Sequence, residues 1–317
     1  MTKYRHDLPQ LQGGMYLTDG GLETTLIFHR GIDLPHFASF PLLDDARGRD
    51  ELTEYYEAYL AIAREHGLGF VLDTVTWRAS PDWGSKLGYD LGSLRALNMR
   101  SVEHLAALRQ IWERPEAPII LSGAIGPRGD GYKEGGMSAV EAEAYHAFQV
   151  GAFADTEADM VTAFTMNNTN EAIGIARAAK TAGMPCVISF TVETDGRLPS
   201  GTPLREAIEQ TDEASAGTPV YYMVNCAHPT HFEEALARSE DWVKRIGGIR
   251  ANASAKSHAE LDNSTELDSG DPADFGQHYH QLRTRYPSMR VLGGCCGTDH
   301  RHVSAICDAC LPRAAAE

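Results

Sequence analysis

The chain has no long hydrophobic run: no stretch approaches the roughly 18 apolar residues that spanning a bilayer requires, which excludes a helical membrane protein. It also lacks basic excess. Twenty-eight Lys and Arg stand against 44 Asp and Glu, a formal net charge of −16, whereas binding nucleic acid or anionic membranes needs a basic surface. Cysteine is sparse, six in 317 residues, too thin for a disulfide framework. The opening "MTKYRHDLPQ" has no apolar segment of the kind a secretion signal carries. A reducing, cytoplasmic setting is therefore expected, where clustered cysteines serve metals or chemistry. No internal repeat and no linker divide the chain, and no glycine-rich phosphate turn follows the first apolar run.

What is present is an alternation. Eight short apolar runs are separated by longer stretches with helical spacing. The runs are "GMYLTDGG" around Met15 to Asp19, "GFVLDTVT", "PIILSGAIG", "DMVTAFT", "CVISFTVE", "VYYMVNC", "RIGGIRANAS" and "RVLGGCCG". Helices are expected over 51–67, over 138–156 from a serine cap with glutamate three residues on, and over 169–185, ending in Gly183 and Pro185. Strand then helix, eight times, predicts one (β/α)₈ TIM barrel occupying residues 1–317 as a single domain. The polar stretch 257–276 reads as an exposed loop after the seventh strand, at the barrel's active face, where it either covers the site or, the reading put first, is mere surface.

In such a barrel the chemistry gathers at the C-terminal strand ends. Cys226 ends the sixth strand, and Cys295 with Cys296 end the eighth. Neighbouring cysteines bridge each other poorly, because the intervening peptide would strain. With one strand between them, all three thiols can meet above the rim, the ligand set for a zinc ion with one open position. Three thiolates leave zinc rich in charge. A substrate thiol in the fourth position would lose its proton yet keep a nucleophilic sulfur, so the site should alkylate a thiol. Cys307 and Cys310 form a C-x-x-C with no second pair and read as packing residues one turn apart. His228, His231, His300 and His302 flank the cysteines. A fourth-ligand or supporting role is open to any of them, and none is assigned.

These residues resemble a known family. "TDGGLETTL", "VNCAHP" and "GGCCGTDHRHV", supported by "TWRAS", "SGAIGPRGDGY" and "ISFTVETDGRLPSGTPL", are similar to the zinc-dependent homocysteine S-methyltransferases over nearly the whole chain. The resemblance implies zinc on Cys226, Cys295 and Cys296. It also implies methyl transfer from an onium donor (S-methylmethionine, S-adenosylmethionine or betaine) to homocysteine, giving methionine. Asp19 matches the family's acidic residue for the amino group of homocysteine. Gly20 and Gly21 would let substrate approach closely, and Asn225 and Asn252 would orient the metal or the substrate carboxylate.

Two positions depart from the family. Phe164 stands where relatives often carry a second glutamate for the amino group, and Arg78 stands where they have glutamine or tyrosine. Arg78 is expected either to pair with a donor carboxylate or to repel a cationic donor. Trp77 and Phe164 can offer aromatic faces to an onium group. The departures keep two other outcomes open: the same chemistry on a different thiol or selenol, or a zinc- and thiol-binding barrel without catalysis. The expected partners are thus a small thiol acceptor and a methyl donor; nothing in the sequence specifies an oligomeric state.

Overall fold

The computed structural model describes residues 2–133, 135–236 and 241–312. Its strands are β1 (Tyr16–Leu17), β2 (Gly69–Asp73), β3 (Ile119–Ile125), β4 (Met160–Met166), β5 (Cys186–Phe190), β6 (Pro219–Asn225), β7 (Ile246–Ala251) and β8 (Val291–Gly294). All eight expected runs are strands. They pair in parallel and in chain order, and β8 closes on β1 through Tyr16 opposite Val291. Each strand is followed by a helix, from Ala46–Glu65 after β1 to His300–Cys310 after β8, which makes the fold a single-domain (β/α)₈ barrel.

Parity along the strands builds the interior. Val71, Ile120, Met160, Val187, Tyr221 and Val291 point inward and, with Tyr16 and Leu8, fill the N-terminal half of the barrel. Their neighbours Phe70, Leu72, Leu121, Val161 and Ile188 point outward into the shell of helices. Two residues further along β2, β3, β4 and β5, and four further along β6, the inward positions turn polar. Ser122 bonds Thr162 at 2.8 Å, Ser189 bonds Asn225 at 2.6 Å, and Arg250 bonds Asp73 at 2.8 Å. The barrel is thus sealed with hydrocarbon below and lined with hydrogen-bonding groups above, where the site lies.

Boundaries differ from expectation where local caps decide them. The first long helix begins at Ala46 rather than 51, because Asp45 accepts the Gly48 N–H. The capping box at Ser138 and Glu141 is present as expected. The stretch 257–276 is not a plain loop. Ser257 and Glu260 form a capping box that starts a short helix, His258–Asp262, and Asp271 caps Pro272–Arg285, whose first turns lie inside the stretch.

Candidate metal centre and its two chambers

Cys226 leaves β6 with φ 53°, and Thr165 on β4 has φ 59°, both in the left-handed region that non-glycine residues seldom adopt. Asn225 holds this irregular pair. Its Oδ1 accepts from the Thr165 N–H at 2.9 Å and from Ser189 Oγ, and its Nδ2 donates to Thr165 Oγ1 at 2.9 Å. The same Nδ2 lies 3.9 Å from Cys295 Sγ, and Thr165 Oγ1 lies 3.9 Å from Cys226 Sγ, so both sulfurs face hydrogen-bond donors. The Cys295 N–H bonds Ala251 O at 2.8 Å, while its carbonyl accepts from Thr298 Oγ1 at 2.7 Å.

The sulfurs of Cys226, Cys295 and Cys296 all lie within 4.8 Å of one another, the one such cluster of metal-ligating side chains among the described residues. A tetrahedral zinc with bonds of about 2.3 Å holds its sulfurs about 3.8 Å apart, so the cluster fits that ion. Cys226 and Cys295 are joined as a disulfide, with Cα atoms 5.4 Å apart. The bond and a metal are alternative uses of the same sulfurs, since only thiolates ligate. As expected, Cys295 and Cys296 do not bridge each other.

Gly20 and Gly21 line the inner cavity, but their small size serves the protein as well as any substrate. A Cβ on Gly21 would come within 2.5 Å of the Cys295 carbonyl oxygen, and one on Gly20 within 2.9 Å of the Thr298 carbonyl oxygen. The turn after β1 is therefore pressed directly onto the cysteine loop.

Asp19 is buried at the end of β1, and its partners are protein groups. Tyr55 Oη donates to Oδ2 at 2.9 Å, and Oδ1 lies 2.6 Å from Arg250 Nη2, outside hydrogen-bond alignment. Arg250 reaches Asp73 Oδ2 with Nη1 and the carbonyls of Gly294 and Gly20 with Nε and Nη2. It also lies 5.1 Å above the Phe164 ring. Burial pushes the Asp73 carboxyl up to about 7 and raises Asp19, in both cases against the pull of Arg250. Burial works against the Arg250 charge too, but the two carboxylates hold it firmly protonated. One cation between two carboxylates leaves an excess negative charge when all are ionised. Oδ1 of Asp19 and Oδ1 of Asp73 are buried without a hydrogen bond.

These groups, with the three cysteines and Trp77, line an inner chamber of about 100 Å³. An outer chamber of about 340 Å³ shares Trp77, Phe37, Tyr132 and Cys296 with it. Its far wall is made by Leu261, Ser264, Glu266, Leu267 and Asp268, so of the two readings of this stretch the one put second, a segment bordering the site, holds. Trp77 lies between the chambers and Arg78 faces the outer one. Asn252 is buried with its N–H on Ala227 O, and its side chain lines neither chamber.

None of the flanking histidines joins the sulfurs. His231 meets the Ala255 carbonyl, His228 meets Thr230, and His302 lies between Asp299 and the Ser269 carbonyl. The histidine that does support the centre is His258. Nε2 lies 2.6 Å from the Cys226 carbonyl and Nδ1 lies 3.0 Å from Glu193, while the ring stacks on Tyr132 at 4.0 Å. Cys307 and Cys310 lie on the last helix outside any disulfide, their thiols pushed up by burial to about 12 and about 11. Asp73, Arg250 and His258 escape a reading by strand ends and cysteine spacing. The available signal is a single charge inside an apolar run, "FVLDTV" and "IGGIRA".

A family model for homocysteine S-methyltransferases matches residues 16–310. Three solved structures of the Escherichia coli homocysteine methyltransferase MmuM are similar over almost their full length. The oxidised form has 22% identity and a TM-score of 0.75, covering 96% of this chain and 99% of that one. The metallated form has 20% identity and a TM-score of 0.74 over the same shares. The apo form has 20% identity and a TM-score of 0.67, covering 96% and 100%. No curated protein matches significantly by sequence.

Proposed function

The chain belongs to the homocysteine S-methyltransferase family and is a methyltransferase, and from that premise we propose the specific reaction. A methyl group passes from an onium donor to the sulfur of homocysteine, giving methionine, at a zinc ion held by Cys226, Cys295 and Cys296. The observation that carries this reading is the convergence of three sulfurs from two strand ends on a chamber that also holds two carboxylates sharing one guanidinium. When bound, zinc supplies the Lewis acidity that strips the proton from an entering thiol.

The chain's own groups do the rest. Asp19 and Asp73 accept the ammonium of homocysteine, which adds a second positive charge to two carboxylates that share Arg250 and a hydrogen bond that their Oδ1 atoms lack. Asp73 thereby takes the part that Phe164 cannot play. Arg250 holds both carboxylates in place, and Asn225 and Thr165 direct donors at the sulfurs. Trp77 and Phe164 offer aromatic faces to the positive donor. The acceptor sulfur then attacks the methyl carbon. The old bond's electron pair returns to the donor heteroatom, whose charge vanishes, and the thiol proton has already left to solvent. No base is needed at the moment of transfer, so alignment and exclusion of water supply the rate. A reducing cytoplasm keeps Cys226 and Cys295 available as thiolates.

The pairing of Asp19 with Arg250 favours one second reading, an acceptor thiol without an amino group. Both are tested by following product mass from zinc-loaded, reduced protein given homocysteine or 4-mercaptobutanoate. S-methylmethionine, S-adenosylmethionine and betaine are supplied in parallel, with Cys296→Ala as control. Methionine from one donor, absent in the variant, supports the first reading. Equal rates with 4-mercaptobutanoate favour the second, and no product from either acceptor defeats both.

A further inference from the structure

The outer chamber meets the inner one at Cys296 and Trp77, which places it beside the sulfurs but outside the ammonium-binding groups. It is lined by the aromatic side chains of Phe28, Phe37, Trp77 and Tyr132 and by the carboxylates of Asp130, Glu266 and Asp268, the last already paired with Lys256, a lining suited to a cation. One cationic side chain interrupts that lining. Arg78 is only 8% exposed, and its guanidinium carbon lies 4.2 Å from the Trp77 ring centre and 3.8 Å from that of Trp83.

Its commitments are few. Nη1 donates to the Gly129 carbonyl at 2.8 Å, while Nε is buried with no hydrogen-bond partner. Burying an unsatisfied charged donor is costly, so such a group is expected to be completed by a ligand. The Nε–Nη2 edge is the fork that grips a carboxylate with two parallel hydrogen bonds. Burial and close contact with the Trp77 and Trp83 rings hold that fork before a ligand arrives, which lowers the ordering cost of binding. A lysine here would supply charge without the fork.

We propose that the outer chamber is the methyl-donor site and that Arg78 selects donors bearing a carboxylate, binding it through the Nε–Nη2 edge. The donor's onium end then faces the aromatic rings next to Cys296. This rests on the methyl-transfer reading above and adds the residue and chamber that choose the donor. A zwitterionic donor satisfies the Arg78 Nε at one end and the aromatic and acidic lining at the other, whereas a simple cation leaves Nε without a hydrogen bond and adds positive charge beside it.

The test uses matched donors differing only in that carboxylate: S-methylmethionine with its methyl ester, and betaine with its methyl ester. Binding to zinc-loaded, reduced protein is measured by calorimetry, and methyl transfer to homocysteine by product mass. The wild-type chain should bind at least one acid about tenfold or more tighter than its ester, the range expected for hydrogen bonds to a charged group. Arg78→Met should collapse that preference to near one by raising the KM for the acid, with zinc content and the KM for homocysteine unchanged. Arg78→Lys should recover part of it. Equal use of acid and ester by the wild-type protein, or equal losses for both in Arg78→Met, would overturn the assignment and leave methyl transfer standing. Neither binding nor turnover with any of the four donors would overturn both.

Discussion

At Asp73 the pH dependence of stability and the proposed specificity for an amino group meet in one side chain. Its carboxyl is pushed up to about 7 by burial, above the unfolded value of about 3.9. The folded chain therefore holds a proton that the unfolded chain releases, and this group's contribution to stability falls as pH rises from about 4 to about 7. Asp73→Asn copies the protonated form without titrating. Thermal denaturation of the two proteins should show their Tm difference shifting in favour of the variant between pH 5 and pH 8. A difference independent of pH would place the Asp73 titration outside that window. The same variant should raise the KM for homocysteine about tenfold or more and leave that for 4-mercaptobutanoate little changed, since a hydrogen bond to a charged group is worth about 1.5–3 kcal/mol. Residue types in the sequence located the sulfurs, because thiols at two strand ends are uncommon. They left Asp73 and Arg250 unread, since a lone charge in an apolar run reveals its partners only after the barrel closes.

Among the elements, the cysteine loop is held by its neighbours more than by itself. Gly21 is packed against the Cys295 carbonyl, and His258, from a helix after β7, lies against the Cys226 carbonyl. Gly21→Ala forces a Cβ into backbone that cannot yield, so it should cost about 1–3 kcal/mol in denaturant unfolding and lower the bound zinc. His258→Ala removes a supporting contact without filling space. It should weaken zinc about 10–100-fold in chelator competition while far-UV circular dichroism stays unchanged. Unaltered zinc affinity would reduce His258 to packing under Tyr132. The segment carrying His258 looked like surface because its composition is polar. Its capping box was readable, but the direction in which a polar helix turns its few buried residues depends on what stands opposite, here Tyr132 and Glu193.

At the scale of the molecule, the barrel was legible because two periodicities coexist. Strand parity sends Val71, Ile120 and Val187 inward, and the intervening stretches have the spacing of helices. The same parity, continued along the strands, predicts the polar upper layer of Asp73, Ser122, Ser189, Asn225 and Arg250, although only closure determines which of them pair. In the proposed reaction that layer, the three sulfurs and the two chambers would hold a zinc ion whose fourth position the acceptor's sulfur would take. X-ray absorption at the zinc edge of the reduced, loaded protein tests this claim most directly. The account predicts three sulfur neighbours at about 2.3 Å alone and four once homocysteine is added, with the three-sulfur count already lost in Cys296→Ala. A count that stays at three with homocysteine bound, or a metal held by nitrogen or oxygen in place of Cys296, would contradict it.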